Sequence, residues 1–283
     1  VIHAIAGGFA LGVLTVLGPR IGKFAKDGTP RDIVPHNPWL VTLGLFFIYT
    51  GFWGFYVACN VPIFDVSGAT DGAMEDASFF TATTIYLTPT TLSGITLNFL
   101  MSLSGGLLMG YIVTKGDAFW TYSCGLAGVI AASAGNDLYH PITSMLVGAA
   151  GVVFMYKMHW WVERRFKIDD AVGAIAVHGY AGVFGLVVAG FLLWGYPSSM
   201  NGDYASINPL GQAIGAIIMF GVLGFLPAWI VSKILHAFGL LRIPERIEIA
   251  GLDLAEYHGR YMSESEVSAS ERARAKEAGY LAR

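Results

Sequence analysis

The sequence predicts an all-α, polytopic helical membrane protein, and three observations carry that reading. First, 54% of its 283 residues are hydrophobic and only 13% charged, with 36 glycines and a mean hydropathy of +0.57. Ordinary globular domains carry roughly 25% charged residues, so this chain has about half the usual means of covering itself with water-facing groups. Second, seven apolar stretches reach or approach the roughly 20 residues that cross a bilayer core about 30 Å thick. They lie near 1–18, 39–59, 90–114, 118–135, 141–162, 171–195 and 208–238. Third, the loops between them alternate in the sign of their charge. The apolar runs are too long and unbroken for barrel strands, which alternate polar and apolar residues over about ten positions.

The first span leads into Arg20, Lys23, Lys26 and Arg31. The second, aromatic-rich span leads into residues 60–89, which contain Asp65, Asp71, Glu75 and Asp76 but no lysine or arginine. Lys115 follows the third span, the short 136–140 turn after the fourth is free of basic residues, and Lys157, Arg164, Arg165 and Lys167 close the fifth. The sixth opens after Asp169 and Asp170. Residues 196–207 again lack basic residues, and Arg242 and Arg246 follow the seventh. Lys and Arg collect on the cytoplasmic side of a membrane protein, so the N-terminal end of this chain is expected outside and the C-terminus in the cytoplasm of a cell (plasma or inner) membrane.

Glycines recur along the spans, among them Gly7, Gly8, Gly106, Gly128, Gly179 and Gly182, as expected where helices approach closely in lipid. Val1-Ile2-His3 enters an apolar span with no charged leader, and residue 1 is read as a cut within a longer chain whose upstream helices precede it. Residues 1–238 form the predicted transmembrane helical domain. Residues 239–283 change to a charge-mixed composition and read as a tail, with a turn at Gly251-Leu252-Asp253.

Composition and spacing exclude several classes. A net charge of −3 argues against nucleic acid as a partner. Cys59 and Cys124 have no metal-ligand or CxxC spacing, so neither a zinc site nor a disulfide scaffold is expected, and no cofactor is required.

Seven histidines occur, and position sorts them. His36, His159, His236 and His258 fall in basic loops, at a span end or in the tail, and His140 opens a span on the outer side; all five read as solvated or interfacial. His178 lies eight residues past Asp170, about 12 Å of helical rise into the membrane, and His3 precedes Arg20 by about 25 Å of rise. An ionisable side chain at that depth normally faces the bundle interior or a pathway. Two imidazoles meeting there could pass a proton, since each neutral ring has one donor and one acceptor. Packing histidines bonded to backbone carbonyls are the alternative. Haem ligation by His3 and His178 is a third reading, with no CxxCH or other feature in its support. The second span, from Phe46 to Asn60, concentrates Phe52, Trp53, Phe55 and Tyr56 toward its outer end. Both an interfacial aromatic belt and a cation-binding aromatic cage completed by Cys59 or Asn60 fit that pattern.

Taken together, Val1-Ile2-His3 with its Ala/Gly run, Gly18-Pro19-Arg20, Pro35-His36-Asn37-Pro38, Gly51-Phe52-Trp53-Gly54-Phe55, Asp169-Asp170 followed by Val177-His178-Gly179, and Gly251-Leu252-Asp253 with His258-Gly259 resemble the Amt/Mep/Rh ammonium transporters. The resemblance covers essentially the whole chain. It implies a fold of eleven helices in two inverted repeats, a homotrimer with one pore per subunit, and a chain that begins in the fifth helix. It also implies that His3 and His178 are the twin pore histidines, that Phe55 and Phe52 belong to the gate and recruitment region, and that Cys59 stands where serine is common. Gly251, Leu252, Asp253, His258 and Gly259 would form a regulatory tail segment that docks PII-type signalling proteins. The implied activity is ammonium transport rather than enzymatic catalysis: NH4+ is recruited and NH3 conducted, with the proton moving separately or through the histidines. A non-conducting ammonium sensor on the same fold is the alternative.

Overall fold

The computed structural model describes residues 1–33, 35, 37–60, 92–196 and 206–252. Among the described residues seven helices make up the bundle: α1 (Ile2–Leu17), α2 (Pro38–Asn60), α3 (Leu92–Thr114), α4 (Ala118–Ala132), α5 (Pro141–Phe166), α6 (Ile175–Leu192) and α7 (Pro209–Ala237); a short α8 (Glu245–Ala250) follows. No strand occurs among the described residues. Five of these helices have the length and apolar character to cross a membrane, while α1 and α4 have 16 and 15 residues and lie within a few residues of the predicted spans 1–18 and 118–135. Gly18, at φ +78°, and Pro19 end α1, and α4 tightens into a 3₁₀ turn over Ser133–Gly135.

Helix starts follow local chemistry. The Asn37 side chain accepts hydrogen bonds from the amides of Trp39 and Leu40 ahead of α2. Asp117 accepts from Trp120 N at 2.8 Å, and Asn208 accepts from Gly211 N at 2.8 Å. Each satisfies a donor that has no partner within its helix. Proline follows the cap at α2, α5 and α7, where its missing N–H costs nothing.

Glycine then sets how closely helices pack. A Cβ on Gly128 would sit 2.7 Å from the Gly106 Cα and from the Ser102 carbonyl, so α3 and α4 touch backbone to backbone. A Cβ on Gly7 would lie 2.1 Å from the Gly179 Cα, and one on Gly8 2.0 Å from the Phe220 carbonyl. Helix α1 is thereby held against both α6 and α7. At these contacts α6 and α7 run as π-helix, over Ile175–Tyr180 and Ile218–Phe225. Such local widening often marks functional positions.

Helix α2 lies at the edge and is tied on by its tyrosines. Tyr49 donates to the Tyr122 carbonyl, and Tyr56 donates to the Val129 carbonyl at 2.9 Å and contacts the Ser133 hydroxyl. Asn98 of α3 donates to the carbonyls of Asn136 and Tyr139, both at 2.7 Å, locking the turn after α4. Much of the α7 surface is apolar and exposed, including Leu210, Ile217 and Val231, as suits a helix facing acyl chains.

Replacing Gly128 by alanine is expected to destabilise the bundle by about 1–3 kcal/mol, the usual cost of overpacking. Thermal unfolding in detergent would show it as a lower midpoint; an unchanged midpoint would mean that α3 and α4 are not in backbone contact.

Candidate functional site

The glycine contact between α1 and α6 brings the two deep histidines together. His3 Nδ1 and His178 Nδ1 are 3.1 Å apart, and their rings lie nearly parallel with centroids separated by 5.3 Å. A Cβ on Gly182 would meet the His3 Cβ at 3.3 Å, so the absence of a side chain there leaves space for the ring. Counting helical rise alone puts the two residues at different depths. They meet because residues 167–173 leave the helical path, so rise per helical residue does not measure the depth of His178.

Phe52 of α2 stacks on His3 at 5.3 Å and 16° on a face-to-face geometry, and Phe55 meets His3 edge-on at 6.3 Å. Phe52 and Phe55 are themselves 6.2 Å apart. The result is a continuous aromatic column from Phe55 through Phe52 and His3 to His178. His3 Nε2 is buried and has no hydrogen-bond partner among the described residues. Trp53, on the same helix, turns away and donates to Thr96 Oγ1 at 3.1 Å. Tyr56 is almost fully buried and serves to anchor α2.

From His178 a cavity of about 760 Å³ runs toward the end of the bundle that carries Arg20 and Lys23. Val41, Leu45, Ile48, Leu126 and Val177 give it apolar walls, while its basic end is highly charged. The Arg20 guanidinium grips Asp169 with two hydrogen bonds of 2.7 and 2.8 Å, and the Arg20 amide adds a third at 3.0 Å. Burial pushes the Asp169 carboxyl up, but the bonds and charge of Arg20 outweigh it and hold the group below the usual carboxylate range. The same bonds raise the Arg20 guanidinium. Asp170 turns the other way and accepts from Ala176 N at 3.0 Å, bonding the first turn of the helix that carries His178. Lys23 and Glu163 form a buried ion pair at 3.0 Å. Arg242 bonds the carbonyls of Leu17 and Pro19 and the Glu248 carboxylate, which in turn accepts from Ile21 N.

The structure thus brings together His3, His178, Phe52 and Phe55 of the sequence-predicted residues. Gly251, at φ +97°, and the exposed Leu252 end the described tail. The side chain of Cys59 lies outside the described residues, as do Asp253, His258 and Gly259 and also His36. One expectation is corrected: His159 is not solvated or interfacial but 4% exposed, enclosed by Trp120, Trp160, Glu163 and Asp170. Sequence reasoning passed over His159, Glu163 and Lys23. The available signal was the four-residue spacing of His159 and Glu163, which puts both on one face of α5.

Comparison with known proteins bears on this geometry. The family profile described as "Ammonium Transporter Family" matches residues 1–261. Ammonium transporter Amt2 of Methanocaldococcus jannaschii is 33% identical over 263 residues, covering 91% of this chain and 54% of the relative. Ammonium transporter Amt2 of Archaeoglobus fulgidus is 30% identical over 279 residues, covering 91% and 52%. Among solved structures, one named Sensor Amt Protein superposes with a TM-score of 0.71 at 27% identity, over 90% of this chain and 58% of that one. Rh50 of Nitrosomonas europaea, at 20% identity and a TM-score of 0.56 over 84% and 54%, shares the fold. The chain spans about half the length of the curated relatives it matches.

The Arg20–Asp169 pair joins the end of α1 to the approach to α6, and D169N should cost about 1.5–3 kcal/mol, the range for hydrogen bonds to charged groups. The sign follows from the lowered Asp169 carboxyl: its contribution is complete above the ordinary carboxylate range and is lost as pH falls through the folded-state value. Thermal unfolding of wild type and D169N should therefore differ at neutral pH and converge in acid; a gap that persists in acid would refute the assignment.

Proposed function

The chain belongs to the ammonium transporter family, and from that premise we propose that it recruits NH4+ near Phe52 and Phe55 and conducts NH3 past His3 and His178 toward the basic end. The observation that supports this most directly is the 3.1 Å Nδ1–Nδ1 contact, stacked on Phe52 and opening into a cavity with apolar walls.

The physical case rests on charge. A cation at mid-bilayer costs roughly 3 kcal/mol on insertion scales and above 10 in other estimates, whereas neutral ammonia needs only a hydrogen-bond partner. Aromatic faces attract the cation outside, where cation–π contact contributes ~0.5–2 kcal/mol. Inside, the histidine pair offers both hydrogen-bonding roles. One Nδ1 carries the shared proton and the other accepts it. When His3 holds that proton, its Nε2 is an acceptor; when His178 holds it, His3 Nε2 becomes a donor that can meet the ammonia lone pair. The proton released at recruitment travels separately or through this pair.

The protein is a multi-pass membrane protein of a transporter family. We extend the reading to a homotrimer in the cell membrane, with the Val1 end outside and the basic end cytoplasmic, following the distribution of Lys and Arg. The cytoplasmic tail, with Gly251, Leu252, Asp253, His258 and Gly259, then offers a surface to a PII-type signalling protein. Similarity to Sensor Amt Protein supports a second reading, in which ammonium binding is signalled without conduction.

Ammonium-driven currents recorded from the intact protein in proteoliposomes distinguish these readings. We expect a wild-type current that drops to background when His3 and His178 are both replaced by alanine. Unchanged current in that variant would remove the role assigned to the pair, and ammonium binding with no wild-type current would favour the sensor.

A further inference from the structure

The pore histidines leave unused a second imidazole in the same cavity. His159 lines it together with His178, Trp120, Glu163 and Asp170. Its Nδ1 is 3.8 Å from Asp170 Oδ2 and its Nε2 4.0 Å from Glu163 Oε2. Both gaps are too long for a hydrogen bond yet within ion-pair range, so each nitrogen faces a carboxylate. The ring also packs against Trp120 with centroids 4.5 Å apart and against Trp160 at 5.0 Å.

The charges around it do not balance without it. Arg20 and Lys23, from the segment after α1, face Asp169, Asp170 and Glu163, from the approach to α6 and from α5 itself. Arg20 is committed to Asp169 and Lys23 to Glu163, leaving Asp170 with a backbone N–H as its only donor among the described contacts. Asp32, and Asp117 at the start of α4, add carboxylates to the cavity lining. Arg164, on the next turn of α5, is exposed and lies over the Trp160 ring, 5.9 Å from its centroid. A proton on His159 supplies the missing positive charge, and an imidazolium against Trp120 gains cation–π attraction as well.

We propose that His159 is a proton-transferring residue of this pore, delivering a proton to ammonia that arrives from His178. In the step, the Nδ1–H bond of the imidazolium breaks and the ammonia lone pair takes the proton. Ammonium forms and a neutral imidazole remains. A hydronium ion from the solution at the basic end then restores the proton. The Asp170 and Glu163 carboxyl groups face the charged ring and afterwards attract the ammonium it produces. Converting ammonia to a cation at the mouth prevents its return through the apolar passage. This assignment rests on the transport reading above.

The test measures ammonium-driven current of the intact protein in proteoliposomes, with equal pH on both faces, from about pH 5 to 8, the interval in which imidazoles titrate. We expect the H159Q variant to conduct roughly a hundredfold less than wild type at the acidic end, at the low edge of what a positioned proton donor contributes. The ratio of wild-type to H159Q current should shrink toward one as pH rises. A ratio that does not change with pH overturns the proposal while leaving the transport reading in place; no wild-type current at any pH overturns both. A second measurement needs no variant. Imidazole ¹⁵N resonances of the wild-type protein, assigned to His159 by their contacts with labelled tryptophan rings, should show both ring nitrogens protonated at the acidic end of the range, and a neutral ring there overturns the proposal.

Discussion

Backbone-to-backbone contact between α1 and the two π-helical segments is the constraint on which the rest of this architecture depends. Gly7 against Gly179 and Gly8 against Phe220 leave no room for a Cβ. Lipid provides no hydrophobic drive for helices to associate, so close approach must come from packing and shape. The contact also aligns chemistry. With α1 seated this closely, the ring of His3 falls on that of His178, and α2 need only lie across the edge for Phe52 to complete the column. A single side chain at Gly7 would push apart the two helices that carry the histidines.

The basic end is built on a different principle. There the chain leaves helix at residues 18–33 and 167–173, and charged contacts hold those segments in place. Arg20 spans from the end of α1 to Asp169, Lys23 reaches Glu163, and Arg242 gathers the carbonyls that α1 leaves unpaired at its end. The Lys23–Glu163 pair, buried on both sides, is costly to desolvate and costlier to break, because a lone buried charge would remain. The outcome is a rigid, polar frame around the mouth of a cavity whose inner walls are apolar.

Much of this was legible along the chain. Helix starts at Asn37-Pro38 and Asn208-Pro209 follow from side chains that cap and from prolines that need no donor, both local effects. His3 and His178 stand out because an ionisable residue in an apolar run has few reasons to be there, and the motifs around them carried the family resemblance. His159 was not legible. It sits near a cluster of basic residues at a span end, a setting that reads as interfacial. Its burial arises when Trp120 of α4 packs on its ring and Lys23, distant in sequence, pairs with the neighbouring Glu163. The limits of α1 and α4 were legible too, since Gly18-Pro19-Arg20 and the Ser133–Gly135 turn end these helices within a few residues of where the apolar runs stop.

What the sequence by itself determined was the class of molecule, the number and order of its apolar segments and the sign of charge at each end. These depend on composition, run length and spacing, which act within a few turns of chain. Tertiary structure alone decided which imidazoles touch, which carboxylates lose their water and where a cavity opens. Those outcomes depend on distances between residues as far apart as 3 and 178, and such distances are set only when whole helices settle against one another.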